Sequence, residues 1–148
     1  MNKVLSVGSY AQYKELCHGV KKGNERALHD AARLLSTITP QGATLVPMPS
    51  HYGHATYMLD LALMVAALTN GRVDDCLAGR ERISLYQAKK QHIGTDLDMV
   101  LTHQPDGRVF FIDNCVDTGM TYNAASMLIQ APMITIANTN NYNYGRNY

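Results

Sequence analysis

Thirteen consecutive residues, Val109 to Thr121, constrain the fold of this chain more than any other stretch; they read VFFIDNCVDTGMT. The apolar run Val109-Phe110-Phe111-Ile112 follows the turn signal Pro105-Asp106-Gly107, and a short unbroken apolar run of this kind is the pattern of a strand covered on both faces. Strands of that type belong to parallel sheets, whose crossovers are helices, so the run predicts an α/β domain. In open α/β sheets the ligand crevice lies outside the carboxyl ends of the strands. Asp113, Asn114 and Asp117 are therefore expected to project their oxygens into such a crevice. The amides of Thr118, Gly119, Met120 and Thr121, at the start of a helix expected over 121–130, would offer donors to an anion. A phosphate with a sugar beside it suits both halves. The same residues also make an ordinary strand, turn and helix junction capped by Thr and Asp, and the run alone leaves both open.

The remaining residues alternate helix and strand in the same manner. Val4 to Val7 reads as an edge strand, and Ser9-Tyr10-Ala11-Gln12 has the form of a capping box before a short helix that closes near Gly19. Asn24 is the expected cap of a second helix in which Ala27, Leu28, Ala31, Leu34 and Leu35 recur at helical spacing. Ala43 to Ser50 reads as a buried strand ending in a loop stiffened by Pro47 and Pro49. The helix expected over Ala55 to Leu68 is apolar almost all round, which predicts deep packing, and Asn70-Gly71 marks its end. Further strands are expected at Val73 to Leu77, Leu97 to Thr102 and Met133 to Ala137. The central sheet then has about five strands in one domain over residues 1–148, with an asparagine- and tyrosine-rich tail at 139–148.

Charge and cysteine usage exclude several classes. A formal charge of +1 with scattered lysines and arginines gives no broad basic field, which argues against duplex nucleic acid as a partner and suits a small anion better. Cys17, Cys76 and Cys115 form no CxxC pair and no even framework, so they read as reduced cytoplasmic thiols, with Cys115 a packed thiol rather than a nucleophile. The apolar 55–68 stretch is interrupted by Asp60 and falls short of the roughly 20 residues a membrane span requires. His51 and His54 lack a third ligand at helical spacing, and the tail tyrosines Tyr142, Tyr144 and Tyr148 read as a frayed terminus.

The run at 109–121 resembles the phosphoribosyl diphosphate (PRPP) signature of type I phosphoribosyltransferases, with Asp113 at the first acidic position, Cys115-Val116 as the apolar pair and Asp117-Thr118-Gly119-Met120-Thr121 as the 5′-phosphate loop. The resemblance implies a Rossmann-like sheet of mainly parallel strands flanked by helices. It also gives Asp113 and Asn114 the ribose hydroxyls, although the family usually carries Asp where this chain has Asn114. An amide still hydrogen-bonds a hydroxyl, but brings no charge to a magnesium-bound ribose or a developing oxocarbenium ion.

Ala43-Thr44-Leu45-Val46-Pro47-Met48-Pro49-Ser50 is similar to the pyrophosphate loop of the same enzymes, above all of the competence-associated amidophosphoribosyltransferase-like branch. That branch follows its prolines with arginines, whereas here Ser50, His51 and His54 follow. By resemblance, Pro49, Ser50 and His51 meet the diphosphate, and the segment 78–91, with Arg80, Arg82, Lys89 and Lys90, closes over it. Those four cations also fit an ordinary solvated surface.

The implied reaction is attack by a nitrogen of a nucleobase on the anomeric carbon, with magnesium (Mg) diphosphate leaving and Asp113 as any protein ligand of the metal. Asp117-Thr118-Gly119 is similar to the hypoxanthine-guanine branch, where the aspartate faces the purine and acts as general base; Asp117 equally suits a helix cap. The other implied role is a PRPP- or nucleotide-binding module without turnover, regulatory or serving competence and DNA handling. Family members are often homodimers.

Overall fold

The computed structural model describes residues 3–81, 84 and 97–139. Five strands form one parallel sheet: β1 (Val4–Ser9), β2 (Thr44–Pro47), β3 (Arg72–Val73), β6 (Val109–Val116) and β7 (Met133–Asn138), in the spatial order β1-β7-β6-β2-β3. Two short strands, β4 (Leu77–Ala78) and β5 (Val100–Leu101), make a separate antiparallel pair. The stretch 97–102, expected in the main sheet, instead supplies this hairpin; its alternating exposure, with Val100 52% exposed, leaves nothing to bury against a second face.

One face of the sheet is covered by α1 (Tyr10–Lys21), α2 (Glu25–Ser36) and α3 (Tyr57–Thr69), with Val20, Leu28, Leu35, Leu61 and Val65 packed on Leu45, Phe110, Ile112 and Ile134. The other face is covered by α4 (Met120–Ser126) and the base of the hairpin, where Tyr122, Ala125, Cys76 and Leu77 meet Val46, Phe111 and Met133. Each fully buried Leu, Ile or Phe in these layers contributes about 1.5–3 kcal/mol, so the alternation of sides along β6 holds the two layers together. The result is a Rossmann-like α/β arrangement.

Local signals set the helix ends. Ser9 Oγ accepts from Gln12 N at 3.2 Å and Asn24 Oδ1 from Ala27 N at 2.9 Å, so both expected caps are present. α1 runs on past Gly19 to Lys21, with a kink at Tyr13. α3 ends where Asn70 turns left-handed at φ 55°, and Gly71 follows so close to Ala43 that a side chain there would meet its carbonyl oxygen at 2.4 Å.

Two features position the site. The chain leaves β2 for the outer strand β3 through α3 on one face, and leaves β6 in the opposite direction for β7 through α4 on the other face. Right-handed crossovers that diverge in this way open a crevice between the carboxyl ends of the two neighbouring strands. In addition, β2 stops at Pro47, opposite Ile112, while β6 continues to Val116 paired only with β7. The expected strand end at Ile112 therefore lies four residues short of the observed end at Val116. The polar residues 113 and 114 stay in the strand because β7 supplies hydrogen-bond partners on one edge, and tertiary pairing overrides their low strand propensity.

Candidate functional site

Asp113 stands beside the crevice, one residue past the level at which β2 ends. It is half-buried, and its Oδ1 accepts the N–H of Asn114 at 2.8 Å. Burial raises its pKa from the ordinary carboxylate range to about 6, and the Asn114 amide offsets part of that rise. Tyr57, at the first turn of α3, and Cys17 on α1 both feel its charge. Burial first, and Asp113 second, push the Tyr57 hydroxyl above its ordinary range and the Cys17 thiol up to about 11. Burial, followed by Cys17 and Asp113, pushes Cys115 up to about 12, so these thiols are protonated and weakly reactive near neutral pH.

Asn114 has the opposite fate to its neighbour. It is 8% exposed, its Nδ2 donates to the carbonyl of Cys17 at 3.0 Å, and its Oδ1 is buried without a hydrogen-bond partner among the described residues. The Cys17 thiol approaches the Asn114 carbonyl at 4.0 Å. The amide expected at the ribose is thus engaged with α1.

The loop after β6 turns on Gly119, at φ 86°, which is buried and is the N-cap residue of α4 with no side-chain cap. Asp117 is not that cap. Its Oδ1 accepts the hydroxyl of Thr139 at 2.9 Å, which fastens the loop to the residue just beyond β7. Among the described residues, Thr118 and Gly119 donate their N–H to no backbone carbonyl, and Met120 heads a helix whose first amides have no partner within it. Thr118 and Met120 are exposed and Thr121 is half-buried. The helix expected to reach residue 130 ends at Ser126.

Tyr122, which sequence reasoning passed over, secures this turn. It is 1% exposed, stacks edge-on against Phe111 at 6.1 Å, donates to the Ala131 carbonyl at 3.1 Å and accepts the Lys3 N–H at 2.7 Å. The available signal was an aromatic residue with a polar tip one turn after a Gly in an otherwise small-residue helix.

The loop after β2 lies across the crevice from this turn. Pro49 is buried, Ser50 and His51 are half-buried, and Tyr52 and His54 are exposed. Ser50 donates both its N–H and its hydroxyl to the His54 carbonyl, at 2.9 and 3.1 Å, and Gly53 donates to Ser50 O at 3.0 Å. The Tyr52 ring stacks on His51 at 4.2 Å and lies 6.4 Å from His54. Gly53, at φ 91°, touches the hairpin stem: its carbonyl accepts from Gly79 N at 2.8 Å, and a Cβ would meet Gly79 O at 2.5 Å. Arg80, exposed on the same stem, is the one expected diphosphate contact from segment 78–91 whose surroundings are described; Arg82, Lys89 and Lys90 lie outside the described residues, as do Tyr142, Tyr144 and Tyr148.

Histidine partners that the sequence left blank also emerge. His103 Nε2 meets Asp74 Oδ1 at 2.5 Å just past β3, and His18 Nε2 meets the Tyr10 hydroxyl at 3.0 Å. The charge of His54 acts on Asp75, whose pKa burial nevertheless raises. No group of three His, Cys, Asp or Glu able to hold a metal occurs among the described residues. Asp113 is a carboxylate beside the crevice that a magnesium ion carried in on a phosphate would meet. Among the described residues no helix is long and apolar enough to cross a membrane.

No family model matches the chain, and a search of curated proteins finds no relative.

Proposed function

We propose that this protein binds phosphoribosyl diphosphate across the crevice between β2 and β6 and transfers its phosphoribosyl group to a ring nitrogen of a purine-type nucleobase, releasing diphosphate. One observation carries this reading: the two loops whose sequences resemble the 5′-phosphate and pyrophosphate loops leave adjacent strands at the point where the chain's path diverges, with Asp113 between them.

In this reading the amides of Thr118 to Thr121 hold the 5′-phosphate, and Asp113 holds a ribose hydroxyl. Ser50, His51 and Arg80 line the diphosphate end. Asp113 would be the protein's contact to magnesium, which when bound would neutralise charge on the departing diphosphate. The bond from the anomeric carbon to the diphosphate oxygen breaks, the bond to the base nitrogen forms, and the nitrogen's proton passes to the carboxylate of Asp117, which Thr139 orients.

A second reading, a phosphoribosyltransferase-fold module that binds without turnover, is favoured by the engagement of Asn114 with Cys17, which takes that amide from the ribose and leaves it to Asp113 of the pair. Incubation with phosphoribosyl diphosphate, magnesium and a panel of purine and pyrimidine bases, with diphosphate release followed against calorimetric binding, separates the two. Base-dependent release supports the transferase, and binding that Asp113→Ala abolishes, without release, supports the module. Absence of binding overturns both.

A further inference from the structure

Outside the crevice, a second polar cluster closes the root of the β4–β5 hairpin. The chain leaves β3 through Asp74, Asp75 and Cys76 and returns from β5 through Thr102 and His103. Asp74 is tied to the main sheet by its N–H, which donates to Leu45 O at 2.9 Å. Its Oδ1 lies 2.5 Å from His103 Nε2. On the other side of the ring, His103 Nδ1 lies 3.1 Å from the Thr102 hydroxyl oxygen, which in turn lies 3.2 Å from the Cys76 carbonyl. That carbonyl also accepts the Thr102 N–H at 2.8 Å.

These contacts fix the protons. A carbonyl only accepts, so the Thr102 hydroxyl donates to Cys76 O, and its oxygen is left to accept from Nδ1–H. An ionised carboxylate likewise only accepts, so Nε2 donates to Asp74 and carries a proton as well. Were Thr102 to give its proton to Nδ1 instead, its oxygen and Cys76 O would face each other as two acceptors at 3.2 Å. The ring that satisfies every contact is the imidazolium. Asp74, His103 and Thr102 have the members of a carboxylate, base and nucleophile relay, but a ring with both nitrogens protonated has no lone pair to take a proton from the hydroxyl. Other titratable and charged groups surround the cluster among the described residues. Burial, then the charges of His54 and Asp74, act on the exposed Asp75, and burial, then Asp74, pushes the Cys76 thiol up to about 11 and keeps it uncharged. Arg72 on β3 donates to Thr44 Oγ1 at 3.0 Å, and Arg108, beyond Asp106, lies over the Phe110 ring at 5.3 Å.

We infer that protonated His103 is a clasp that sets the hairpin against the main sheet and through it positions the loop after β2. The path is continuous. From Thr102 and Cys76 the ladder runs through Leu77 opposite Leu101 and Ala78 opposite Val100 to Gly79, whose N–H donates to Gly53 O at 2.8 Å, and Arg80 follows. Two paired residues on each strand are too few to hold a hairpin at a fixed angle unaided, so its anchors at the two ends decide where it lies. Gly53 has no room for movement of the stem, since even a Cβ would meet Gly79 O at 2.5 Å. On the reading of Ser50, His51 and Arg80 as the diphosphate end, on which this consequence rests, the clasp couples a proton on His103 to the grip on diphosphate. Loss of that proton as pH rises removes one of the two ring donors and loosens the root.

Amide hydrogen exchange of Gly79 tests the clasp, with Phe111, bonded to Pro132 O in the main sheet, as the reference. The His103 side chain is 55% exposed, so substitution there is compatible with folding. His103→Gln is expected to speed Gly79 exchange about two- to fivefold over wild type at mildly acidic pH, with Phe111 unchanged, and the ratio is expected to fall toward unity as pH rises. His103→Arg, charged at every working pH, is expected to restore the protection and remove its pH dependence. Nitrogen NMR of the His103 ring is expected to find both nitrogens protonated in the wild type at the acidic end. Calorimetry with inorganic diphosphate then reads the consequence for the site: His103→Gln should weaken binding by a similar factor, while inorganic phosphate binding should not change. A Gly79 ratio of unity at every pH, or a ring with a single protonated nitrogen at the acidic end, overturns the clasp. A wild-type chain that binds no diphosphate overturns the reading of the crevice instead, and Gly79 exchange then decides the clasp alone.

Discussion

The two loops that face each other across the crevice are built on opposite principles. The loop after β2 spends its backbone on itself and on the hairpin: Ser50 is bonded to His54 O twice over, Gly53 to Ser50 O, and Gly79 to Gly53 O. What it presents outward is side chains, the stacked rings of His51, Tyr52 and His54. The loop after β6 uses side chains to hold itself, Asp117 to Thr139 and Tyr122 to Lys3 and Ala131, and keeps main-chain amides at its turn. A turn of the second kind meets an anion with N–H groups that do not titrate, whereas imidazoles grip one firmly only when protonated. If the crevice takes the ligand proposed above, the difference assigns most of the affinity near neutral pH to the loop after β6.

The largest effect expected from breaking this contrast falls on the self-bonded loop. Gly53→Ala combines a positive φ with a Cβ at 2.5 Å from the Gly79 oxygen, and is expected to cost about 2–4 kcal/mol. Thermal unfolding should show a fall in Tm of about 10 °C for a domain of this size. Because the cost lies in the β2 loop, inorganic phosphate binding at the β6 turn should persist well below the new Tm; its loss would show that the two loops do not act separately.

Asp113 sharpens the comparison through pH. Its carboxyl has a raised pKa of about 6 in the folded chain, so its contribution to stability is complete below the unfolded value and is lost as pH rises from there through about 6. Above that, the ionised group costs on the order of 2 kcal/mol, allowing for partial exposure. Asp113→Asn is therefore expected to stabilise the protein at neutral pH, and to flatten the fall in stability between the two pKa values, while weakening phosphoribosyl diphosphate binding about tenfold or more. Urea denaturation over a pH series, paired with calorimetry, checks both signs. A variant destabilised at neutral pH would show that the anion is held by contacts that outweigh its burial.

The smallest expected effect is that of Thr139→Val, which removes the hydroxyl that Thr139 shares between Asp117 Oδ1 and the Asp117 carbonyl and should cost about 0.5–1.5 kcal/mol. If Thr139 orients Asp117 for proton transfer, turnover should fall while the KM for phosphoribosyl diphosphate stays constant. A change confined to KM would assign Thr139 to holding the loop alone.

Much of this architecture was legible in the chain because local and global preferences agree. The caps Ser9 and Asn24, the apolar Phe110 to Ile112 core of β6 and the Asn70-Gly71 stop all read directly. Where the reading fell short, partners remote in sequence decided. β6 continues past Ile112 because β7 lies alongside, and Val100–Leu101 joins Leu77–Ala78 rather than the main sheet. The candidate site was legible as a set of residues but not as a set of directions. That Asp113 bonds back to the N–H of Asn114 while the Asn114 side chain turns to Cys17 depends on the docking of α1, and no periodicity in the 109–121 run records it.

The phenol of Tyr122 joins stretches separated by 119 positions along the chain, since it meets the amide of Lys3 and, through Ala131, the approach to β7. Lys3 leads directly into β1, which lies alongside β7, so the turn at Gly119 is anchored to the edge of the sheet as well as to its own short helix.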